Sequence, residues 1–207
     1  MKSLKKPLLF VLALLFPMLA SASWDEAKES TERSLTEMIA VIERYEGQTA
    51  EEQTALIQDI EPIVNRDVDF RYIANWVMGK YYRRASAQER DQFAEVFKQT
   101  LIKTYAKSLA GFDVKNYTIL TPSAQSPDPD KQIVTVEVVS EQGQAYTLVN
   151  YMVKKSGEWK LVNVVLNGIN LRITFKNQFA NMMQTHKQNV QAVIDDWSSQ
   201  IDVPKGQ

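Results

Sequence analysis

The chain has 207 residues, of which 44% are hydrophobic and 24% charged, and its formal net charge is −1 at pH 7. It contains no cysteine and one histidine. Disulfides and thiolate metal sites are therefore excluded, and a zinc site would need three or more carboxylates at a spacing that the sequence lacks. The sequence also lacks phosphate-binding loops, dinucleotide fingerprints and nucleophile elbows. This charge balance does not suit a nucleic-acid-binding protein.

The first 22 residues have the pattern of a secretory signal peptide. Three lysines precede an apolar run at 8–16, and the small-residue cleavage motif Ala20-Ser21-Ala22 follows. The apolar run is too short for a membrane span, which takes about 20 apolar residues. We predict cleavage after Ala22, location in the bacterial periplasm, and a single domain over 23–207. This domain has 21 basic and 25 acidic residues, a net charge of −4.

The first half of this domain has the apolar spacing of four helices. The first helix is predicted over 25–46, with Gly47 as its stop. The second begins with a capping box at Thr49 and ends at Pro62. The fourth helix covers 86–110 and also begins with a capping box.

The third helix, predicted over 69–84, is apolar on two sides. One stripe contains Phe70, Ile73 and Val77, and the other contains Tyr72 and Trp76. A helix with two apolar sides lies in an interior or lines a cavity. It ends in a basic cluster made of Lys80, Arg83 and Arg84. This cluster is interpreted as solvated, or as a docking site for an acidic partner, in preference to a phosphate clamp.

The second half of the chain changes to a two-residue period. Stretches with strand character cover 116–121, 132–140, 145–155 and 158–167. The last three are joined by tight turns, which predicts an antiparallel meander. Few positions are polar, so we expect the sheet to be apolar on parts of both faces. Two further helices follow Gly168.

This order of elements predicts an α+β fold, with helices packed on a curved antiparallel sheet of about four strands. Helices and a sheet that are apolar on two sides can enclose a cavity, although a filled core has the same composition. Three functions stay open on this basis: a carrier of an apolar molecule, a cavity enzyme and an envelope adaptor with a filled core. The enzyme would draw its acid and base from Asp113, Tyr117 and Tyr151.

Several segments resemble one family of bacterial proteins. In the third helix these are Ile73-Ala74, Val77-Met78-Gly79 and Tyr81-Tyr82-Arg83. Further matching segments lie at 89–97, 104–106, 159–164, 168–171 and 176–179. Together they resemble the MlaC or toluene-tolerance proteins, the phospholipid-binding component of the maintenance-of-lipid-asymmetry pathway. The chain departs from the family pattern at Asn170 and at 174–176.

The resemblance implies an NTF2-like fold with added helices around an apolar cavity. It implies a periplasmic carrier, not an enzyme, that holds a phospholipid by its acyl chains and has no cofactor besides this cargo. The implied partners are an inner-membrane ABC transporter complex with MCE domains and an outer-membrane lipoprotein–porin complex. The carrier itself is expected to be a monomer that shuttles lipid between these complexes and so maintains outer-membrane asymmetry.

Periodicity selects candidate residues for contact with the acyl chains. The strand candidates, placed on one cavity-facing side, are Val134, Val136, Val138, Val149, Tyr151, Val153, Val162, Val164 and Leu166. For the second strand of this set, the opposite face is an equally open alternative. The helical candidates are Trp76, Val77, Tyr105, Leu109, Phe175 and Phe179. No catalytic or metal-binding residue is assigned.

Overall fold

The computed structural model describes residues 16–45, 49–109 and 112–200. The predicted leader up to residue 15, the helix stop at Gly47 and the C-terminal tail from residue 201 lie outside these ranges. None of the helices in the described part is long and apolar enough to cross a membrane.

The described part contains six α-helices and five strands. The helices are α1 (Phe16–Ile42), α2 (Ala50–Asp67), α3 (Phe70–Met78), α4 (Ala87–Leu109), α5 (Leu171–Thr185) and α6 (Val190–Gln200). The strands are β1 (Val114–Leu120), β2 (Lys131–Ser140), β3 (Ala145–Lys155), β4 (Glu158–Leu166) and β5 (Ile169–Asn170). The predicted α+β class and the antiparallel meander are confirmed, with the two-residue β5 as an additional strand.

Local sequence signals set several helix ends. The Thr49 side chain accepts a hydrogen bond from the N–H of Glu52, whose own side chain accepts one from the Thr49 N–H, as the capping box predicts. The predicted end at Pro62 is wrong, because α2 continues to Asp67 and buries Ile63. Packing of this last turn outweighs the backbone hydrogen bond that a proline cannot make.

The third helix is shorter than predicted. Asp69 caps α3, and its carboxylate accepts a hydrogen bond of 2.8 Å from the N–H of Tyr72. At Gly79 the backbone turns to φ 54° and ψ −125°, and a 3₁₀ turn, Gly79–Arg83, replaces the α-helix. Glycine is required because side-chain-bearing residues rarely adopt these angles.

The sheet has the strand order β1-β2-β3-β4-β5, and every neighbouring pair is antiparallel. One edge is formed by β1, whose pairing is irregular between Val114 and Asn116. At the other edge, β5 pairs with the end of β4, and Val68 makes a parallel bridge to Leu161. The N–H of Asp69 donates to the Leu161 carbonyl at 3.0 Å, which fixes the chain between α2 and α3 to this edge.

Helix α1 packs across one side of the sheet, which we call the inner face. Ala27 is fully buried in a cluster that also contains Val134 and Trp159. Farther along α1, the hydroxyl groups of Thr36 and Tyr117 are 3.3 Å apart. The helix therefore runs from the β4 side of the sheet towards β1.

Within the described ranges, the buried apolar residues form three separate clusters rather than one continuous core. The helical cluster joins α3, α4, α5 and α6 and is rich in rings that pack edge to face, such as Phe93 on Trp197 at 4.9 Å. The sheet cluster joins α1 to β2, β3 and β4. The α1–α2–α4 cluster includes Leu56, Ile60 and Ala106.

Candidate functional site

The strand registers determine which side chains share the inner face. Val134 is opposite Asn150, which is in turn opposite Val164. Directly opposed residues in an antiparallel sheet point to the same side. Because Val134 lies in the sheet cluster beneath α1, Asn150 and Val164 are also on the inner face.

The inner face is covered unevenly. Val134 is fully buried, whereas Leu148, Val164 and Leu166 at the other end of β3 and β4 are only half-buried. Helix α1 therefore closes one end of this face and leaves apolar surface accessible at the other.

Helices α1 and α4 carry further half-buried apolar side chains at the edges of the three clusters. Tyr105 packs on the helical cluster, and Leu109, one turn later on α4, packs on the α1–α2–α4 cluster. On α1, Leu35 packs on the sheet cluster and Met38 on the α1–α2–α4 cluster. Residues one turn apart lie on the same side of a helix, so each pair spans the boundary between two clusters.

We call the half-buried apolar side chains on these two helices and on the open end of the inner face the inner cleft. It is defined by the half-buried residues Leu35, Met38, Tyr105, Leu109, Leu148, Val164 and Leu166. All seven present apolar or aromatic carbon, which is the lining that a hydrocarbon chain requires.

Tyr105 adds one polar atom to this lining. Its hydroxyl is buried and has no hydrogen-bond partner among the described residues. Burial raises the pKa of Tyr105 to about 12, so the hydroxyl stays neutral at physiological pH. A bound molecule with an acceptor oxygen could satisfy this donor.

Several predicted helical contacts lie elsewhere in this conformation. Val77, Phe175 and Phe179 are at most 2% exposed within the helical cluster, so none of them presents open surface. Trp76 is on the exterior and is 48% exposed. Of the six helical candidates, Tyr105 and Leu109 border the inner cleft.

The placement of Val149, Tyr151 and Val153 on the same side as the β2 candidates is wrong. Tyr151 is opposite Ile133, the exposed neighbour of buried Val134, so these three β3 residues face outward. The alternative face for this strand, left open by the sequence, is the one that the register supports. The inner positions of β3 include Asn150, whose polarity concealed that face from a search for apolar alternation.

The remaining strand candidates are on or near the inner face. Val136 and Val138 are buried beside Val134, and Val164 and Leu166 border the inner cleft. Val162 is only 3% exposed and lies where the β3–β4 register shifts. The periodicity missed Leu35, Met38 and Leu148, since half-burial depends on tertiary packing that a sequence pattern does not give.

A polar groove of ≈ 650 Å³ lies apart from the inner cleft. Charged side chains of α1, α2, β3 and β4 line it, which makes it unsuitable for hydrocarbon. At its wall Asp67 accepts hydrogen bonds from Ser34 at 2.7 Å and Arg66 at 2.6 Å, and Arg33 lies 3.3 Å away. This network joins α1 to α2. In the described ranges, no group of three acidic or histidine side chains could hold a metal ion.

The five-stranded antiparallel sheet and the long helix across one of its faces define an α+β fold. A solved structure of the phospholipid-binding protein from Ralstonia solanacearum, in complex with a phospholipid, has the same fold. The two structures align with a TM-score of 0.70 and 24% sequence identity. The alignment covers 84% of this chain and 98% of the other.

The family model described as "MlaC protein" matches residues 32–199, so the chain belongs to the MlaC family. The resemblance noted in the sequence is thereby confirmed. The chain is 29% identical over 196 residues to toluene tolerance protein ttg2D of Pseudomonas putida, covering 93% of this chain and 89% of that protein. It is 29% identical over 130 residues to the intermembrane phospholipid transport system binding protein MlaC of Haemophilus influenzae, covering 60% and 58%.

Proposed function

We propose that this protein carries a phospholipid by its acyl chains through the periplasm. The observation that carries the proposal is the inner cleft, the set of half-buried apolar side chains that α1, α4, β3 and β4 carry beside three separate clusters. The apolar surface that these side chains leave open is available to a bound hydrocarbon chain. Family membership and the phospholipid named for two similar proteins support the same assignment.

The energetics of lipid transfer explain why such a site must be almost purely apolar. Burial of each methylene gains about 0.8 kcal/mol, so two long acyl chains gain on the order of 20 kcal/mol relative to water. The lipid leaves a bilayer of similar apolarity, so an unpaired polar group in the cleft would oppose transfer. Six of the seven lining residues are leucine, valine or methionine, and the hydroxyl of Tyr105 is the one polar side-chain atom among them.

The geometry favours binding over catalysis. The enzyme hypothesis needs an acid and a base that converge in one pocket, yet Tyr117 is opposite inner-face Val138 while Tyr151 faces outward. Asp113 is exposed and precedes β1. Tyr105, with its pKa raised to about 12, is a poor acid or base at neutral pH.

The finer proposal concerns where the lipid goes. We infer that the carrier exchanges phospholipid with an inner-membrane ABC transporter complex containing MCE domains and with an outer-membrane lipoprotein–porin complex, acts as a monomer and maintains lipid asymmetry. The predicted signal peptide supports a periplasmic location. The name of the Haemophilus relative, which describes intermembrane phospholipid transport, supports the route.

Native mass spectrometry of the exported protein tests the carrier function directly. We expect the chain to retain bound phospholipid after gentle purification, and organic extraction to recover it. Recovery of apoprotein mass alone, with no extractable lipid, would contradict the proposal.

Two aspartate substitutions test which face holds the lipid. Val164→Asp places a carboxylate beside the inner cleft, and we expect retention of phospholipid to fall at least about tenfold, because an unpaired buried charge is costly. Tyr151→Asp is the matched control on the outer face and should retain lipid as the unaltered chain does. Both proteins are delipidated and then reloaded from detergent-solubilised phospholipid, so the comparison reports affinity and not loading in the cell. If Tyr151→Asp lost phospholipid while Val164→Asp retained it, the site would be on the outer face.

A further inference from the structure

Three large apolar side chains, on the outer face of β2, on α3 and on α5, are strongly exposed. The exposed fractions are 48% for Trp76, 47% for Ile133 and 54% for Ile173. A single exposed apolar residue is ordinary, whereas an adjoining group marks an interaction surface.

The registers and contacts connect these residues through Asn163, which is itself only 3% exposed. Ile133 is opposite Tyr151 on the outer face, and Tyr151 is opposite Asn163 on β4. The Asn163 side-chain oxygen accepts a hydrogen bond of 3.3 Å from the N–H of Arg172. The Arg172 guanidinium in turn lies 4.6 Å from the centre of the Trp76 ring.

We call this surface the Trp76 patch: Trp76, Ile133, Tyr151, Arg172 and Ile173. Adjacent strands are about 4.8 Å apart, so the patch extends roughly 20 Å from β2 across β4 to α3. It combines two aromatic rings, two protruding aliphatic side chains and a cation.

Positive charge borders the patch. The Lys176 side chain lies against Gly79, at the end of α3. Within the part of the chain that the structure describes, neither Arg172 nor Lys176 makes an ion pair. The Lys155 ammonium lies 4.7 Å from the centre of the Tyr72 ring, but it also pairs with Asp69, which neutralises part of its charge. Acidic residues outnumber basic ones in the chain, yet Arg172 and Lys176 have no acidic partner in the described part. Cations without a partner beside exposed apolar groups point to an anionic binding partner.

We propose that the Trp76 patch docks on the surface of an anionic phospholipid bilayer. Tryptophan and tyrosine suit the interfacial region because each has an apolar body and a polar group. Ile133 and Ile173 would enter the boundary between head groups and acyl chains, while Arg172 and Lys176 meet lipid phosphates. A folded acidic protein would need a pocket for Trp76 and carboxylates matched to both cations, whereas a bilayer accommodates protruding side chains in any arrangement. This docking does not depend on the cargo proposal.

Vesicle flotation tests the proposal with the exported protein. The chain should float with vesicles of phosphatidylcholine and phosphatidylglycerol, bind vesicles of phosphatidylcholine alone much more weakly, and dissociate as salt increases. We expect the pair Trp76→Ser and Ile173→Ser to lower the bound fraction about tenfold or more, because both lost side chains insert. The double variant Arg172→Gln with Lys176→Gln should bind anionic vesicles more weakly, and its binding to vesicles of phosphatidylcholine alone should not change.

Matched controls separate a local effect from a general one. Lys103→Gln with Lys115→Gln removes two exposed lysines from α4 and β1, outside the patch, and should leave flotation unchanged. Every variant is checked for phospholipid retention after reloading, which should be normal for the patch variants.

Three results would overturn the docking proposal. The first is that a protein that still retains cargo does not float with vesicles at low salt. The second is that the patch variants float as well as the lysine controls. The third is that the protein binds an acidic protein but no vesicles. Loss of cargo binding with normal flotation would instead count against the carrier function alone.

Discussion

Asp67 shows how one buried carboxylate joins two helices. Its side chain is 8% exposed and contacts Arg33 and Arg66, which are about half exposed. Asp67→Asn should lower the free energy of unfolding by about 2 kcal/mol at pH 7, because two charged hydrogen-bond donors lose their anionic acceptor. Urea unfolding measures this, with the more exposed Asp59→Asn as a control expected to cost less than about 1 kcal/mol. Equal losses would show that burial of Asp67 is unimportant.

The same carboxylate predicts a pH dependence. Burial opposes ionisation of Asp67, but hydrogen bonds from Arg66 and Ser34 and the charges of Arg66 and Arg33 lower its pKa overall. Its stabilisation is therefore present above the unfolded value of about 3.9 and is lost as the pH falls through the lowered folded-state pKa. The stability difference between the unaltered chain and Asp67→Asn should be constant from neutral pH to about 5 and should shrink below about 4. A difference that persists unchanged in acid would contradict this.

Tyr105 and Tyr117 predict opposite effects of the same substitution. Tyr105→Phe removes a buried hydroxyl that has no partner among the described residues and should raise the stability of the lipid-free protein by up to about 1 kcal/mol. Tyr117→Phe removes a hydroxyl 3.3 Å from that of Thr36 and should lower stability by about 0.5–1 kcal/mol. Thermal unfolding of delipidated protein compares them. A destabilising Tyr105→Phe would mean that its hydroxyl has a partner in solution.

At the level of elements, Gly79 separates α3 from the 3₁₀ turn. Its φ of 54° with ψ of −125° is strained for any residue with a side chain, and an added Cβ would lie 3.0 Å from Lys176 Cε. Gly79→Ala should therefore lower the free energy of unfolding by about 1–3 kcal/mol. Gly143→Ala, at a turn with nothing within 4 Å of an added Cβ, should cost about 1 kcal/mol. Urea unfolding of both proteins decides whether the α3 junction is the more constrained site.

Local chemistry made several elements predictable from the sequence. The capping boxes at Thr49 and Ser86 depend on hydrogen bonds between residues three positions apart, and both are present. The strand face of β3 was not predictable in the same way, because either side offers apolar residues. Its register is fixed by pairing with β2 and β4, which brings Asn150 inward and Tyr151 outward. The continuation of α2 past Pro62 likewise depends on tertiary packing.

For the whole molecule, the separate clusters predict a protein that is looser without its cargo. A ligand at a concentration of about a hundred times its dissociation constant stabilises a protein by about 2.7 kcal/mol. Delipidation should therefore lower the melting temperature by roughly 5–10 °C. Hydrogen exchange should increase around Tyr105, Leu109 and Leu148, which border the inner cleft. It should change little around Phe93 and Trp197, which are fully buried in the helical cluster. Identical melting of the loaded and delipidated proteins would contradict a site of this size.

The site as a whole was predictable only through the family resemblance. Apolar composition is the same for a filled core and a cavity, so Phe175 and Phe179 were as good candidates as Tyr105 until packing distinguished them. The two apolar stripes of α3 were similarly ambiguous. Ile73 and Val77 are buried in the helical cluster, while Tyr72 and Trp76 stack with cations on the exterior.

The bridge between Val68 and Leu161 affects how copies of this protein meet one another. An exposed strand edge presents unpaired backbone groups that invite another chain to pair and aggregate. Here β5 and the Val68 segment each occupy part of the free edge of β4, and the irregular pairing at Val114 and Asn116 distorts the β1 edge. A protein this rich in β-branched strands is thereby hindered from joining its sheets into fibres.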